Sequence, residues 1–194
     1  MPRPVVDTPT RILAAALELF SEHGFEGTTL QQIADRLEVT KAALYYHFKS
    51  KDELLSALIA PALLDLDLLL EEHEAGKDTP ARRRAFLSAY IDHLLRHRAL
   101  VVYISRDLAV LSRPVIAEHA QQRQCRREAL LLGPDLDFDD RVRIAMAFGG
   151  LQAAIVQLPD ATPAELRAAV SEAAATLLRG RRRGPRLHTP SLAA

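Results

Sequence analysis

Tryptophan is absent from the 194 residues, and phenylalanine and tyrosine together make up only 5% of them. The core must therefore be aliphatic, built from Leu, Ala, Ile and Val, and β-branched runs are too scarce for sheet. The single cysteine, Cys125, excludes a disulfide framework or a cysteine zinc cluster within one chain; it reads as a core or surface thiol. No apolar stretch reaches the length of a membrane span. The opening MPRPVVDTPTR lacks the apolar heart of a signal peptide, so a soluble, cytoplasmic chain is expected. Lysine is rare, and three of the four, Lys41, Lys49 and Lys51, crowd into one short stretch. With 25 basic and 25 acidic side chains the net charge is zero, which argues against coating nucleic acid non-specifically but leaves room for a local DNA-binding face. No nucleophile–base pair, glycine-rich phosphate loop or carboxylate constellation appears, so an enzyme is not expected, nor a cofactor. Nor is a metal expected: His93 and His97 have helical i, i+4 spacing but no third ligand in sight.

Helix punctuation is frequent. Thr8-Pro9 reads as an N-cap and first-turn proline, and His23-Gly24 as a C-terminal stop. Thr28 or Thr29 starts a second helix with Leu30, Ile33, Ala34 and Leu37 on one face, and Thr40 caps a brief third helix ending near Phe48. Ser50 and Glu53 fit a capping box opening a fourth, which should kink or break near Ala60 because of Pro61. Helices are then predicted over 80–97, 99–111, 114–132, 139–158 and 163–179. The total is about nine and the class all-α.

The stretch TTLQQIADRLEVTKAALYYHFKSK, residues 28–51, carries the chemistry. Two short helices joined by a tight turn make a poor core but a good means of presenting one helix to the DNA major groove. At about 100° per residue, Leu44 and Phe48 fall together and must face inward. Ala42, Ala43, Tyr46 and Lys49 point roughly the other way, with Tyr45 and His47 on the flanks. That outer face has small residues, an aromatic and amines, and no acid. Over residues 1–55, six bases meet eight acids, so any DNA binding must rest on a focused patch.

At this point the pieces from Ile12 to Leu55 fall into register with a known pattern. The Phe-x-x-x-Gly-Phe break, the Thr28-Thr29 pair, Ile33-Ala34, Val39, the run Leu44-Tyr45-Tyr46-His47-Phe48 and Lys49-Ser50-Lys51 resemble the TetR family of regulators. The resemblance implies a three-helix helix-turn-helix DNA-binding domain over 1–50, with the motif itself at about 29–48. An effector-binding and dimerisation domain over 51–179 and a disordered basic tail over 180–194 follow. It implies that Thr29, Gln31, Thr40, Lys41, Ala42, Ala43, Tyr45, Tyr46, His47 and Lys51 lie at or near double-stranded operator DNA. Gln31 stands where Arg is frequent in that family and Ala42 where Gly is common, which bears on base preference.

For the remainder, the same resemblance implies a pocket for a small, largely apolar effector, with Tyr90, His93, Tyr103, Phe148 and Gln152 as polar or aromatic lining. The last two helices carry apolar and small residues suited to close helix approach. Met146, Gly149, Ala153, Leu166, Val170, Ala173 and Leu177 are expected at a homodimer interface, an isologous four-helix bundle. The function expected is a ligand-responsive regulator, a repressor released from a palindromic operator by its effector. The alternative is a helical DNA-binding protein or adaptor with no effector.

Overall fold

The computed structural model of the chain describes residues 8–118, 120–133 and 136–178; the basic tail expected at 180–194 lies outside them. Every regular element among the described residues is a helix: α1 (Thr8–Gly27), α2 (Leu30–Arg36), α3 (Lys41–His47), α4 (Lys51–Glu74), α5 (Pro80–Arg96), α6 (Arg98–Arg106), α7 (Leu108–Leu111), α8 (Pro114–Ala117), α9 (Ala120–Leu132), α10 (Phe138–Gln157) and α11 (Pro163–Leu177). None is long and apolar enough to cross a membrane. Two of the nine predicted helices are each split in two. One split falls at Asp107, whose φ of −109° and ψ of 88° leave the helical region. Its carboxylate accepts the Phe25 N–H at 2.7 Å, a tether across the fold that a continuous helix would not offer. The other falls at Glu118, with an extended ψ of 127°.

Local chemistry explains most boundaries. Thr8 is already helical, and α1 turns at Gly24, where φ is 75°, a left-handed value that costs glycine little. Thr29 forms a capping box with Gln32, and Thr162 one with Glu165. Thr40, Ser50, Thr79 and Asp137 each accept an N–H from the first turn of the helix they precede. The Ser50 box is modified: Ser50 Oγ accepts from Glu53 N–H, but the Glu53 carboxylate reaches Lys49 N–H at 2.6 Å, one residue further back. Pro61 does not break α4, which runs unbroken through it. Pro61 sits on the exposed side between buried Ile59 and Ala62, where its ring meets solvent rather than the core.

Two hydrophobic cores are stacked along α4. The first joins α1, α2 and α3 to Leu54, Leu55, Ile59 and Ala62 of α4, and takes in Leu100, Tyr103 and Val110. The second joins Leu66 and Leu70 of α4 to α5, α9, α10 and α11. The cores thus divide between Ala62 and Leu66, beside Pro61. Helix α6 serves both: Leu100 and Tyr103 face the first core, while Val101 and Val102 pack on the second. Paired N–H···O contacts of 2.7–2.8 Å from Arg123 to Asp67 and from Arg126 to Glu74 tie α9 to α4, the two-pronged geometry that suits arginine best.

The residues expected between subunits differ in burial within the single chain. Leu166 and Val170 are buried inside this chain, packed toward α5 and α10, because they form the inner stripe of α11. Met146, Gly149, Ala153 and Ala173 are exposed and Leu177 is half-buried. Cys125 is an exposed thiol.

Candidate nucleic-acid interface

Helix α3 is only seven residues long, too short to be stable alone. It is fixed from below and at both ends. Leu44 is 0% exposed and Phe48 is buried beside it in the first core, with Ile33 and Ala34 of α2. Thr40 Oγ1 accepts Ala43 N–H at 3.1 Å. The turn before it needs Glu38 in the left-handed region, φ 56°, an uncommon conformation for a side-chain-bearing residue. Val39 N–H closes the turn on Ala34 C=O at 3.0 Å. In front, buried Thr28 anchors α2 to α1, its hydroxyl 2.9 Å from Gly24 C=O and 3.1 Å from Leu19 C=O.

The opposite face of α3 is open. Lys41, Ala42, Ala43 and Lys49 are exposed, and His47 is half-buried. Tyr46 is 84% exposed and Tyr45 43%. The Tyr46 ring meets the His47 ring edge-on at 5.1 Å, and Lys41 Nζ lies 5.7 Å from the Tyr45 ring centre. Small side chains at the front of a helix let it sink into a groove, where an aromatic hydroxyl can reach a base edge and amines the phosphates. The acids nearby are largely engaged elsewhere. Glu18 and Glu22 pair with Arg36 at 3.2 and 3.4 Å. Glu26 and Asp52 pair with Arg113, which arrives from the α7–α8 turn.

Two expected contacts, Gln31 and Lys51, sit differently from a free DNA-facing side chain. Gln31, exposed like Thr29 and Thr40, turns along α2 and donates to Asp35 at 2.7 Å. Lys51 is half-buried, with Nζ 2.7 Å from Phe25 C=O, 3.4 Å from Glu26 C=O and 4.6 Å from the Phe25 ring centre. It braces the end of α1. Arg113 covers the same Phe25 ring at 4.5 Å. Together with the Asp107–Phe25 tether, this ties the α6–α8 segment to the end of α1. Nothing in the local spacing announced it, since Asp107 and Phe25 are 82 residues apart.

Of the residues expected to line an effector pocket, three come together. Tyr90 stacks on His93 at 6.1 Å and meets Phe148 edge-on at 5.0 Å. Arg127, which sequence reasoning missed, donates to Tyr90 Oη at 2.6 Å and lies over both rings. Burial raises the Tyr90 phenol above its ordinary value, an effect Arg127 partly opposes. Burial, helped by nearby His97, brings the His93 imidazole down to about 4, so it is neutral at pH 7. Arg127 Nε and His93 Nδ1 are buried with no hydrogen-bond partner among the described residues. Tyr103 is elsewhere: it stacks on Phe20 at 5.9 Å and, with Phe25, Arg106 and Asp107, lines a cleft of about 430 Å³ at the edge of the first core. Burial and then the Asp107 charge raise its phenol well above normal. Gln152 is exposed to solvent. The His93–His97 pair does have a third ligand, Asp65 of α4, all three within 4.8 Å of one another.

Residues 12–58 match the family model described as bacterial regulatory proteins, tetR family. The negative regulator of the biofilm operon, IcaR, from Staphylococcus epidermidis is 37% identical over 65 residues, 33% of this chain and 35% of that protein. The regulator AcrR of Shigella flexneri is 29% identical over 126 residues, 61% of this chain and 58% of that one. The chain thus spans about a third and under two thirds of these curated relatives. The solved structure of the TetR-family regulator PfmR from Thermus thermophilus superposes with a TM-score of 0.66 at 26% identity, covering 89% of this chain and all of that one. With α3 held by its buried Leu and Phe and open on its tyrosine side, the chain resembles the TetR family of transcriptional regulators in the sequence of residues 12–58 and in fold over most of its length.

Proposed function

We propose that the chain is a repressor that binds palindromic operator DNA as a homodimer and leaves it when a small effector binds the second core. The observation that carries this reading is the acid-free outer face of α3, with Tyr46 almost fully exposed above a buried Leu44. Thr40, Lys41, Ala42, Ala43, Tyr45, Tyr46 and His47 would face the groove, Thr29 and Gln31 its edge, and Lys51 would hold the end of α1 beside them. Repression is supported by the naming of IcaR as a negative regulator. Dimerisation is supported by the outer side of α10, where Met146 is 57% exposed and a Cβ on Gly149 or Gly150 would meet nothing within 4 Å. A glycine in mid-helix costs about 1 kcal/mol relative to alanine, and close approach of a second copy gives it a use. Ala153 and Ala173 extend that face; Leu166 and Val170 support it from within.

The effector would be small and largely apolar, seated against Tyr90, His93 and Phe148, with Arg127 Nε free to bind an acceptor atom. Its signal would travel by two routes: along α4, which belongs to both cores, and through Asp107 and Arg113 to the end of α1. Effector and operator would then weaken each other reciprocally, by about 1–3 kcal/mol. Selection of binding sites from a pool of random duplexes, using the full chain, tests the reading. The expected outcome is an inverted repeat whose half-site centres lie roughly 34–36 Å apart or a multiple of that. Recovery of single, unrepeated half-sites bound by one chain would refute the dimeric operator.

A further inference from the structure

We propose that Asp65, His93 and His97 form a binding site for one divalent transition-metal ion of the zinc, cobalt or nickel class, which clamps α4 to α5. The donor atoms of the three side chains already lie within 4.8 Å of one another. His93 and His97 are one helical turn apart on the same face of α5, their ring centres 5.0 Å apart. Asp65 arrives from α4, with its carboxylate 2.9 Å from His97 Nε2. A second observation points to a ligand: His93 is 7% exposed, and its Nδ1 makes no hydrogen bond among the described residues. An unpartnered nitrogen in the interior is costly, and a metal ion that takes up the imidazole would give that cost a purpose.

The donor set decides the class of ion. Two imidazoles and one carboxylate are borderline ligands that suit zinc, cobalt or nickel, whereas calcium and magnesium demand an all-oxygen shell. Three protein ligands leave a fourth, open position. Metal–ligand bonds of about 2.0–2.2 Å place neighbouring donors about 3.3 Å apart in a tetrahedron, so the cluster must tighten by about 1.5 Å at its widest. The shift needed is of side-chain size and draws α5 onto α4. The one competing cation at the carboxylate among the described contacts is Arg96, 3.3 Å from the same oxygen. Its side chain is 65% exposed and is free to swing into solvent.

The experiment is a titration of the untagged full chain with Co²⁺ alone, followed by visible absorption, with Zn²⁺ as competitor and thermal unfolding as second readout. Expected are one ion per chain, a tetrahedral cobalt spectrum that Zn²⁺ abolishes, and a higher unfolding temperature with Zn²⁺. His97→Gln and Asp65→Asn should each weaken binding at least tenfold and abolish the stabilisation. Both positions are partly exposed, so these variants keep the test valid even if His93→Gln fails to fold. No uptake at millimolar Co²⁺, or uptake unchanged in both variants, would overturn the site. The measurement contains no DNA, so its failure leaves the operator-binding reading intact.

Discussion

Replacing Leu44 by Ala is expected to lower the stability of the chain by about 2–5 kcal/mol, the range for truncating a fully buried leucine. It is the only buried residue within α3 itself, and Phe48 lies beyond the helix as its C-cap. With the anchor shortened, a seven-residue helix has little besides Thr40 and Phe48 to fix its height above α2. Operator binding should fall along with stability, because the face that meets DNA is positioned by the residue beneath it. Urea unfolding monitored by circular dichroism measures the first effect. Tyr46→Ala is the matched control: its side chain is in solvent, and its unfolding should stay within about 0.5 kcal/mol of the parent. A loss below about 1 kcal/mol for Leu44→Ala would mean that α3 is not seated as described.

The second large effect concerns acid. His93 is held neutral, with its pKa brought down to about 4 by burial and the neighbouring His97. The unfolded chain takes up a proton at this residue near the ordinary value of about 6.5; the folded chain does not until about 4. Below pH 6.5 the unfolded state therefore binds more protons, and stability falls as the pH is lowered. The loss should begin near pH 6.5 and be complete near pH 4, amounting to roughly 2–3 kcal/mol. Asp65, Glu74, Asp78, Asp92 and Glu165, each lowered chiefly by a hydrogen bond from His97, Arg126, Arg83, Arg167 and Thr162 respectively, act in the same sense. Their contribution is lost as pH falls through those depressed values, at the acid end of the same titration. His93→Gln separates the terms: its stability should be nearly flat from pH 6.5 to 5, where the parent already declines. Parallel curves would remove His93 from this account.

The reading head was legible because its determinants are local. Thr29 and Thr40 announce their helices by side chains that bond three residues on. Leu44 and Phe48 share a face by simple helical spacing, and the structure has both of them buried and Tyr46 outside. The second half of the chain was less legible. Helix α11 is apolar or small around much of its circumference, so its spacing could not say that Leu166 and Val170 turn inward while Ala173 turns out. Helix α6 lies between two cores, so its spacing alone could not show that Tyr103 packs on Phe20. The remaining misses are pairings at a distance. Asp65 meets His97 across 32 residues, and Arg127 meets Tyr90 across 37. A carboxylate in a leucine-rich helix and one arginine among many carry no sign of their partners.

Operator affinity of Tyr46→Ala, read by fluorescence anisotropy on the selected duplex and on duplexes altered at each half-site position, bears most directly on the role of α3. The expected result is binding weaker by about tenfold or more, corresponding to roughly 1–3 kcal/mol for a specific contact, with base discrimination lost at one position of each half-site. Lys51→Ala should instead weaken all duplexes alike. Parent affinity and parent base preference in Tyr46→Ala would contradict the assignment of this helix to DNA.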